Sequence, residues 1–215
     1  MDVLLDQRSL ILDGFLMTLR LTAVSGVLSI VIGTLLAILR VCPIPTLRAA
    51  AGTYVVLLRN TPLTLVFVLV AFGFPRIDIR LSFVAFATVA LTAYTCTFVC
   101  EAIRSGINAI DGGEIEAARS IGLPFRRVMS LVVLPQAFRR VIPPMGSVLI
   151  ALTKNTSIAA AFSVTEATQV ARRLANSFAS ATIPILVGIA VGYLVITLVM
   201  SGGFAVLERR VATVR

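Results

Sequence analysis

Five long apolar stretches constrain the fold of this chain more than any other feature. They cover approximately residues 15–39, 47–74, 81–103, 141–162 and 183–207. Each is long enough for a helix to cross the hydrocarbon core of a bilayer, which takes roughly 20 residues. Because no water is available there, the backbone must satisfy its own hydrogen bonds, so each stretch is predicted to be a transmembrane helix. We therefore expect an all-α integral membrane protein, with residues 1–215 forming a single transmembrane domain.

The composition argues against several other classes of protein. Hydrophobic residues make up 58% of the chain and charged residues 13%, against roughly 25% charged residues in soluble domains. The net charge of +9 would indicate nucleic acid as a partner in a soluble chain. Here the arginines lie mainly in short connections between apolar stretches, where they direct membrane insertion. We expect no nucleic-acid partner.

Ordinary catalytic and metal sites are also not expected. The chain has no histidine, so the usual zinc sites and histidine-based acid–base pairs cannot form. Its three cysteines are odd in number and lie in or beside apolar stretches, which favours a packing role over a disulfide framework. A G-x-x-x-x-G-K-[ST] phosphate loop does not occur in the sequence. We predict that this chain is not an enzyme and binds no metal or cofactor itself.

The distribution of arginines predicts the orientation in the membrane. With the N-terminus outside, eleven arginines fall on the cytoplasmic side and five on the outer side. Such an excess of positive charge is typical of the cytoplasmic side. We therefore expect a multi-pass protein of the plasma or inner membrane whose N-terminus is outside and whose C-terminus is cytoplasmic.

One predicted cytoplasmic connection, residues 104–140, is much longer than two neighbouring helices require. Gly112 and Gly113 favour a turn, acidic residues follow at the start of a helix, and a Gly–x–Pro sequence ends it. Ile115, Ala118 and Ile121 recur at helical spacing. The pattern predicts a short amphipathic helix whose apolar stripe requires a groove to fill.

Two roles are open for this helix. It could lie in the membrane interface, or it could dock into a groove on a cytoplasmic partner. Helices that lie on membranes usually carry bulky apolar anchors and basic flanks. The small alanines and the acidic Glu114 and Glu116 favour a close protein contact.

At this connection the chain resembles the permease subunits of binding-protein-dependent ABC importers. Their motif is Glu-Ala-Ala, three residues, Gly, nine residues and Ile-x-Leu-Pro. It is matched by Glu116-Ala117-Ala118, Gly122 and Val132-Val133-Leu134-Pro135, with Val132 in place of Ile. Nearly the whole chain is similar to the polar amino acid branch, which includes histidine, glutamate, glutamine and arginine permeases. Matching residues elsewhere are Thr18, Leu19, Thr22, Arg59-Asn60-Thr61-Pro62, Lys154-Asn155-Thr156-Ser157 and Glu166.

The resemblance implies the type I importer permease fold, with five membrane crossings and a cytoplasmic coupling helix. It also implies a second permease subunit, identical or similar, two cytoplasmic ATPase subunits that hold ATP and magnesium, and an extracytoplasmic solute-binding protein. The residues expected to contact the ATPase are Glu114, Glu116, Ala117, Ala118, Gly122, Leu123 and Pro124.

The solute pathway is expected to involve polar residues inside the apolar stretches. The candidates are Arg59, Thr61, Lys154, Asn155, Thr156, Ser157 and Glu166. A charge in the bilayer core is costly, so Lys154 and Arg59 should face protein or water. Lys154 could instead extend to the surface or pair with Glu166, and Arg59 could tie helices together through backbone carbonyls.

Another charged pair is assigned no function by the sequence. Glu101 and Arg104 are three residues apart near the end of the third stretch, which is the spacing of a local helical ion pair.

These features predict the permease subunit of an ATP-driven importer for a polar amino acid, with glutamate or a relative favoured by the family branch. The alternative is a self-sufficient channel or an ion-coupled carrier. Such proteins have no reason to contain the motif between Glu116 and Pro135.

Overall fold

The computed structural model describes residues 2–212, with side chains throughout this range except at positions 2, 125, 126, 129 and 212. Every regular element in the described range is helical, which confirms the predicted fold class. The α-helices are α1 (Asp2–Asp6), α2 (Arg8–Val41), α3 (Pro45–Arg59), α4 (Leu63–Val68), α5 (Phe83–Asn108), α6 (Gly112–Ser120), α7 (Phe125–Val128), α8 (Leu134–Asn155), α9 (Ala167–Ser177) and α10 (Thr182–Ala212).

Four helical segments in the described range are long and apolar enough to cross a membrane. They are Arg8–Val41, Phe83–Asn108, Ser130–Phe162 and Ala179–Val211. The first and fourth segments extend beyond the predicted stretches at both ends. The second begins two residues later than predicted and ends later, and the third begins earlier and ends at the same residue. A fifth crossing depends on the region around 47–74, which does not form one straight helix.

That region is bent by 108° between Pro45–Arg59 and Leu63–Ile77, so it is either a broken span or a re-entrant loop. Pro62 has no backbone N–H and disfavours helical geometry at the residue before it, which explains the break at this point. Beyond α4 the chain continues through a π-helical turn, Leu69–Gly73, and a 3₁₀ turn, Phe74–Ile77.

The core lies where α2, α4, α5 and α8 meet. Leu21 of α2, Phe67 of α4, Leu91 of α5 and Leu152 of α8 are almost completely buried in one cluster. At Gly33 a methyl group would lie only 2.6 Å from Val99 Cβ and 2.7 Å from the Cys96 carbonyl oxygen. Glycine therefore allows α2 and α5 to approach closely, as small residues do in membrane helix pairs.

The chain after α8 turns back on itself. A 3₁₀ segment, Thr156–Phe162, leads to Ser163, whose left-handed φ of 62° reverses the chain before α9 begins. Helix α9 packs its buried Val170 and Leu174 in one cluster with Ile185 of α10 and with residues from the N-terminal part of α2. This arrangement positions Glu166, the residue before α9, inside the protein.

Candidate functional site

A cavity of about 300 Å³ lies between α5 and α8, and we call it the central cavity. Helix α5 contributes Tyr94, Thr95 and Phe98, and helix α8 contributes Ser147 and Asn155 among its lining residues. The wall combines aromatic and aliphatic surface with hydroxyl groups and one amide. An amide can both donate and accept hydrogen bonds, so this lining can accommodate a small molecule that carries both ammonium and carboxylate groups.

A second cavity of about 370 Å³ is lined by Arg40, Arg59 and Glu101, with Val55, Val56, Asn60 and Phe98 completing the wall. We call it the arginine cavity. Phe98 lines both this cavity and the central cavity, so the two lie on either side of one aromatic side chain. Arg40 is in the last turn of α2 and Glu101 is two turns from the end of α5, so the arginine cavity lies towards the end of the bundle where residues 109–133 emerge.

Glu101 is the centre of an ion-pair cluster that draws on three helices. Its Oε1 contacts Arg40 Nη1, and Arg59 Nη1 lies 3.7 Å from Oε2. Arg104 Nε is 3.9 Å from Oε1. The predicted local pair of Glu101 and Arg104 is present, and the carboxylate also joins α5 to α2 and α3.

Arg59 lies beside an aromatic ring as well as a carboxylate. Its guanidinium carbon is 5.3 Å from the centroid of the Phe98 ring, a cation–π distance. Its side chain is 41% exposed. Arg59 therefore ties helices together through a carboxylate and a ring rather than through backbone carbonyls. Part of its side chain still lines the cavity.

A third cavity of about 470 Å³ lies where α4, α9 and the 3₁₀ segment Thr156–Phe162 meet. Its lining includes Thr64, Ser157, Thr168 and Arg172, together with apolar side chains. Ser157 donates a hydrogen bond to the Lys154 carbonyl oxygen at 2.7 Å and still borders the cavity.

Three of the seven predicted pathway residues thus line cavities, namely Arg59, Asn155 and Ser157. Two others, the exposed Lys154 and the half-buried Thr61, stand next in sequence to lining residues. The Thr61 hydroxyl donates to Leu57 O at 2.8 Å. Thr156 is fully buried and donates to Thr153 O at 2.8 Å, so its hydroxyl is used within its own helix.

Glu166 does not pair with Lys154. It has no exposed surface, and its carboxylate accepts hydrogen bonds from Gln169 N at 2.9 Å, Tyr193 Oη at 2.6 Å and Thr18 Oγ1 at 3.4 Å. The Gln169 bond caps the N-terminus of α9, where a carboxylate also meets the positive end of the helix dipole. Glu166 therefore joins α2, α9 and α10.

Helix α6 forms in the connection where the sequence predicted it. The Asp111 side chain caps it by accepting from Gly113 N at 2.9 Å. At the other end Gly122 has a left-handed φ of 83°, and Leu123 N donates to Ala118 O at 3.3 Å. This is the Schellman ending that glycine favours.

The predicted apolar stripe of α6 is partly covered by this chain. Ala118 is buried, and it clusters with Ile110, Val128, Val133 and Ala137 of the same chain, with Ile115 and Leu123 packed beside them. Ile121, the third residue of the stripe, is 77% exposed, so this end of the stripe stays available to a partner. Other predicted contact residues remain exposed: Glu114, Glu116, Ala117, Gly122 and Pro124. Gln136 Nε2 also donates a hydrogen bond to Glu114 Oε2.

Sequence reasoning did not identify Tyr94, Phe98, Ser147, Arg40 or Glu101 as lining residues. Four charged residues within or beside the apolar stretches, Arg40, Arg59, Glu101 and Arg104, were a usable signal, because charges in membrane helices usually face one another or water. The aromatic and hydroxyl residues gave no comparable signal, since they are common on any packed helix.

Comparisons with known proteins agree with this architecture. The family model for the binding-protein-dependent transport system inner membrane component matches residues 26–213. The chain is 37% identical over 214 residues to the glutamate transport system permease protein GluC of Corynebacterium efficiens, covering 94% of each chain. It is 36% identical over 209 residues to the probable glutamine ABC transporter permease protein GlnM of Bacillus subtilis, covering 97% of this chain and 96% of GlnM.

A solved structure shows the same arrangement of helices. The crystal structure of an amino acid ABC transporter with histidines contains a chain that matches with a TM-score of 0.91 and 28% identity, covering 96% of both chains. These matches confirm the resemblance found in the sequence and make the chain a transport subunit rather than an enzyme. The protein is thus a member of the family of inner membrane components of binding-protein-dependent transport systems.

Proposed function

We propose that this chain is the permease subunit of an ATP-driven importer that moves a polar amino acid, with glutamate or a relative as the favoured solute. The observation that carries the proposal is the central cavity, where Asn155 and three hydroxyl-bearing residues meet between the long helices α5 and α8. Its volume of about 300 Å³ is at the lower end of the range for small-molecule sites, roughly 300–1,000 Å³.

The printed names of similar proteins support the choice of solute class. GluC is named as a glutamate permease and GlnM as a probable glutamine permease. Glutamate and glutamine share the ammonium and carboxylate groups that an amide and hydroxyls can bind. The motif between Glu116 and Pro135 and the family match both disfavour a self-sufficient channel or carrier.

In this proposal the chain works with three kinds of partner: a second permease subunit, two ATPase subunits that bind ATP and magnesium, and an extracytoplasmic binding protein. The exposed residues of the α6 region contact the ATPase, namely Glu114, Glu116, Ala117, Gly122 and Pro124, and Leu123 and the buried Ala118 hold this surface in shape. That assignment places α6 on the cytoplasmic side and the N-terminus outside, in agreement with the arginine distribution.

The proposed solute pathway runs along the cavity linings. Asn155, Arg59 and Ser157 contact solute from the three cavities, and Lys154 and Thr61 contribute from the positions beside them. Thr156 and Glu166 act indirectly, by holding the helices that form the walls. Rocking of the helices, driven by closure of the ATPase subunits, would open the central cavity to each side in turn.

Replacing the cavity amide tests this function. We expect Asn155→Leu, which keeps the branched shape and the number of heavy atoms and removes the amide, to raise the KM for amino acid uptake roughly tenfold, the loss of about one good hydrogen bond. Uptake of a panel of labelled amino acids would be measured in vesicles containing the complete complex. Asn108→Leu is the matched control, because Asn108 is exposed and lies outside the three cavities. An unchanged KM in Asn155→Leu, or no uptake of any amino acid by the assembled wild-type complex, would refute the proposal.

A further inference from the structure

The ion-pair cluster around Glu101 contains more positive than negative charge. Arg40, Arg59 and Arg104 all contact this one carboxylate. The Arg104 Nε–H group is buried and has no hydrogen-bond acceptor among the described residues. Charges inside a membrane protein are costly unless they are paired or face water. The cluster can therefore accept another anion.

The surplus charge borders an open space. Arg40 and Arg59 line the arginine cavity, and the Arg59 side chain is 41% exposed while that of Arg40 is 16% exposed. The cavity volume of about 370 Å³ is within the usual range for small ligands. Val55, Val56, Asn60 and Phe98 complete the wall, whose accessible surface is mostly polar.

We propose that the arginine cavity binds the side-chain carboxylate of an acidic amino acid, and that the Glu101 carboxylate contacts the same arginines when the solute is absent. This inference rests on the proposed function and deepens it by naming the class of solute. Arg40 and Glu101, which line the cavity, thereby become part of a binding site. Glu101 acts as an internal competitor, and Arg104 contacts it from outside the lining.

The chemistry of the cluster favours a carboxylate. A guanidinium group offers paired N–H donors that match the two oxygens of a carboxylate, and such charge-assisted bonds are the strong ones. Glu101 shows that one carboxylate can lie among these arginines, because Arg40 and Arg104 contact one of its oxygens and Arg59 contacts the other. The arginine cavity adjoins the central cavity, because Phe98 lines both.

Exchange between two carboxylates also suits a transporter. A fixed surplus of arginines would hold an acidic solute too tightly to release it. When Glu101 returns to the arginines, it replaces the interactions that the leaving solute gives up. The site can therefore bind and release an anion without leaving three guanidinium groups unpaired inside the protein.

Binding of glutamate and glutamine to the purified permease–ATPase complex, without the binding protein, tests this inference. The two amino acids differ only in carboxylate against amide, so the ratio of their Kd values isolates recognition of the charge. Calorimetric titration in phosphatidylcholine nanodiscs would give both values. We expect the wild-type complex to prefer glutamate.

Two variants should move that ratio in opposite directions. Arg59→Gln removes the most exposed arginine and leaves the contacts of Arg40 and Arg104 with Glu101, so the preference for glutamate should fall roughly tenfold or more. Glu101→Gln removes the competitor at nearly constant volume, so glutamate should bind roughly tenfold more tightly, with a smaller change for glutamine. Arg48→Gln is the matched control, since it removes the same charge from an exposed position of α3 outside the cavity.

If Arg59→Gln weakens the binding of glutamate and of glutamine equally, the cavity does not recognise the side-chain carboxylate and the inference is wrong. Arg59→Gln gives this answer even if Glu101→Gln fails to assemble. A headgroup of an anionic lipid carries similar chemistry, so the wild-type titration would be repeated with phosphatidylglycerol added. Loss of the glutamate preference would assign the arginines to lipid, whereas an unchanged preference supports the solute. Binding of neither amino acid would overturn the proposed function together with this inference.

Discussion

Glu166 uses both carboxylate oxygens within the chain. One oxygen caps α9 by accepting from Gln169 N, and the other accepts from the hydroxyls of Tyr193 and Thr18. A buried charge that lost these donors would be strongly destabilising, because its hydration would not be replaced. The carboxylate therefore fixes the position of α9 between α2 and α10.

We expect Glu166→Ala to lower the apparent melting temperature clearly, and Glu166→Gln to lower it less. Alanine removes the helix cap, which costs about 1 kcal/mol, and removes the carboxylate that the Tyr193 hydroxyl contacts at 2.6 Å, leaving it Thr168 Oγ1 at 3.2 Å, which costs about 0.5–1.5 kcal/mol. Glutamine retains a carbonyl acceptor for the cap. Because Cys96 and Cys100 are buried, the rate at which a thiol-reactive dye labels them on heating would report unfolding. Equal melting temperatures for the two variants would contradict the capping role.

At the scale of elements, the contact between α2 and α5 depends on a glycine. The atoms nearest to an added methyl group at Gly33 belong to the Val99 side chain and the Cys96 backbone, and a backbone carbonyl cannot move aside as a flexible side chain can. In a membrane, where apolar burial between helices contributes little, such close packing is a main source of association.

Gly33→Ala is expected to destabilise the protein by about 1–3 kcal/mol, the usual cost of overpacking. Gly52→Ala provides the control, because Gly52 lies in α3 with no atom of this chain within 4 Å of an added methyl group. There alanine should be neutral or stabilise the helix by about 0.5–1 kcal/mol. Dye labelling of the buried cysteines would compare the two. A Gly33→Ala protein as stable as Gly52→Ala would show that α2 and α5 can separate without cost.

The C-terminal end of α6 also depends on a glycine. Gly122 has a φ of 83°, and a residue with a side chain loses roughly 1–2 kcal/mol in this left-handed region. We expect Gly122→Ala to loosen the exposed surface proposed to contact the ATPase and to reduce ATP-dependent uptake several-fold. Gly112→Ala, at the start of α6 in open space and without a positive φ, should retain uptake. Normal uptake by Gly122→Ala would exclude a coupling role for this ending.

At the scale of the whole molecule, the sequence predicted features that local physics determines. Long apolar stretches must be helical in a membrane, and the turn glycines, acidic first turn and Gly–x–Pro sequence of residues 112–124 were sufficient to predict α6. Other features depend on residues far apart in the chain. The contact of Arg40 with Glu101 joins positions 61 residues apart, and the burial of Ala118 depends on packing against Val128, Val133 and Ala137.

The bend at Pro62 depends partly on local sequence and partly on residues far apart in the chain. Proline predicts that a helix is interrupted, but the 108° angle is determined by how α3 and α4 each pack against α5. Likewise, the sequence predicted polar residues along a pathway but could not separate Asn155, which lines the central cavity, from Thr156, whose hydroxyl bonds to its own helix.

The central claim is that this chain provides the membrane pathway of an importer that a separate ATPase drives. It is tested most directly by uptake into sealed vesicles containing the complete complex, with the binding protein and labelled glutamate or glutamine outside and ATP trapped inside. The account predicts accumulation that requires internal ATP and stops when a non-hydrolysable analogue replaces it. Accumulation that proceeds equally without ATP would contradict the account and favour a self-sufficient carrier.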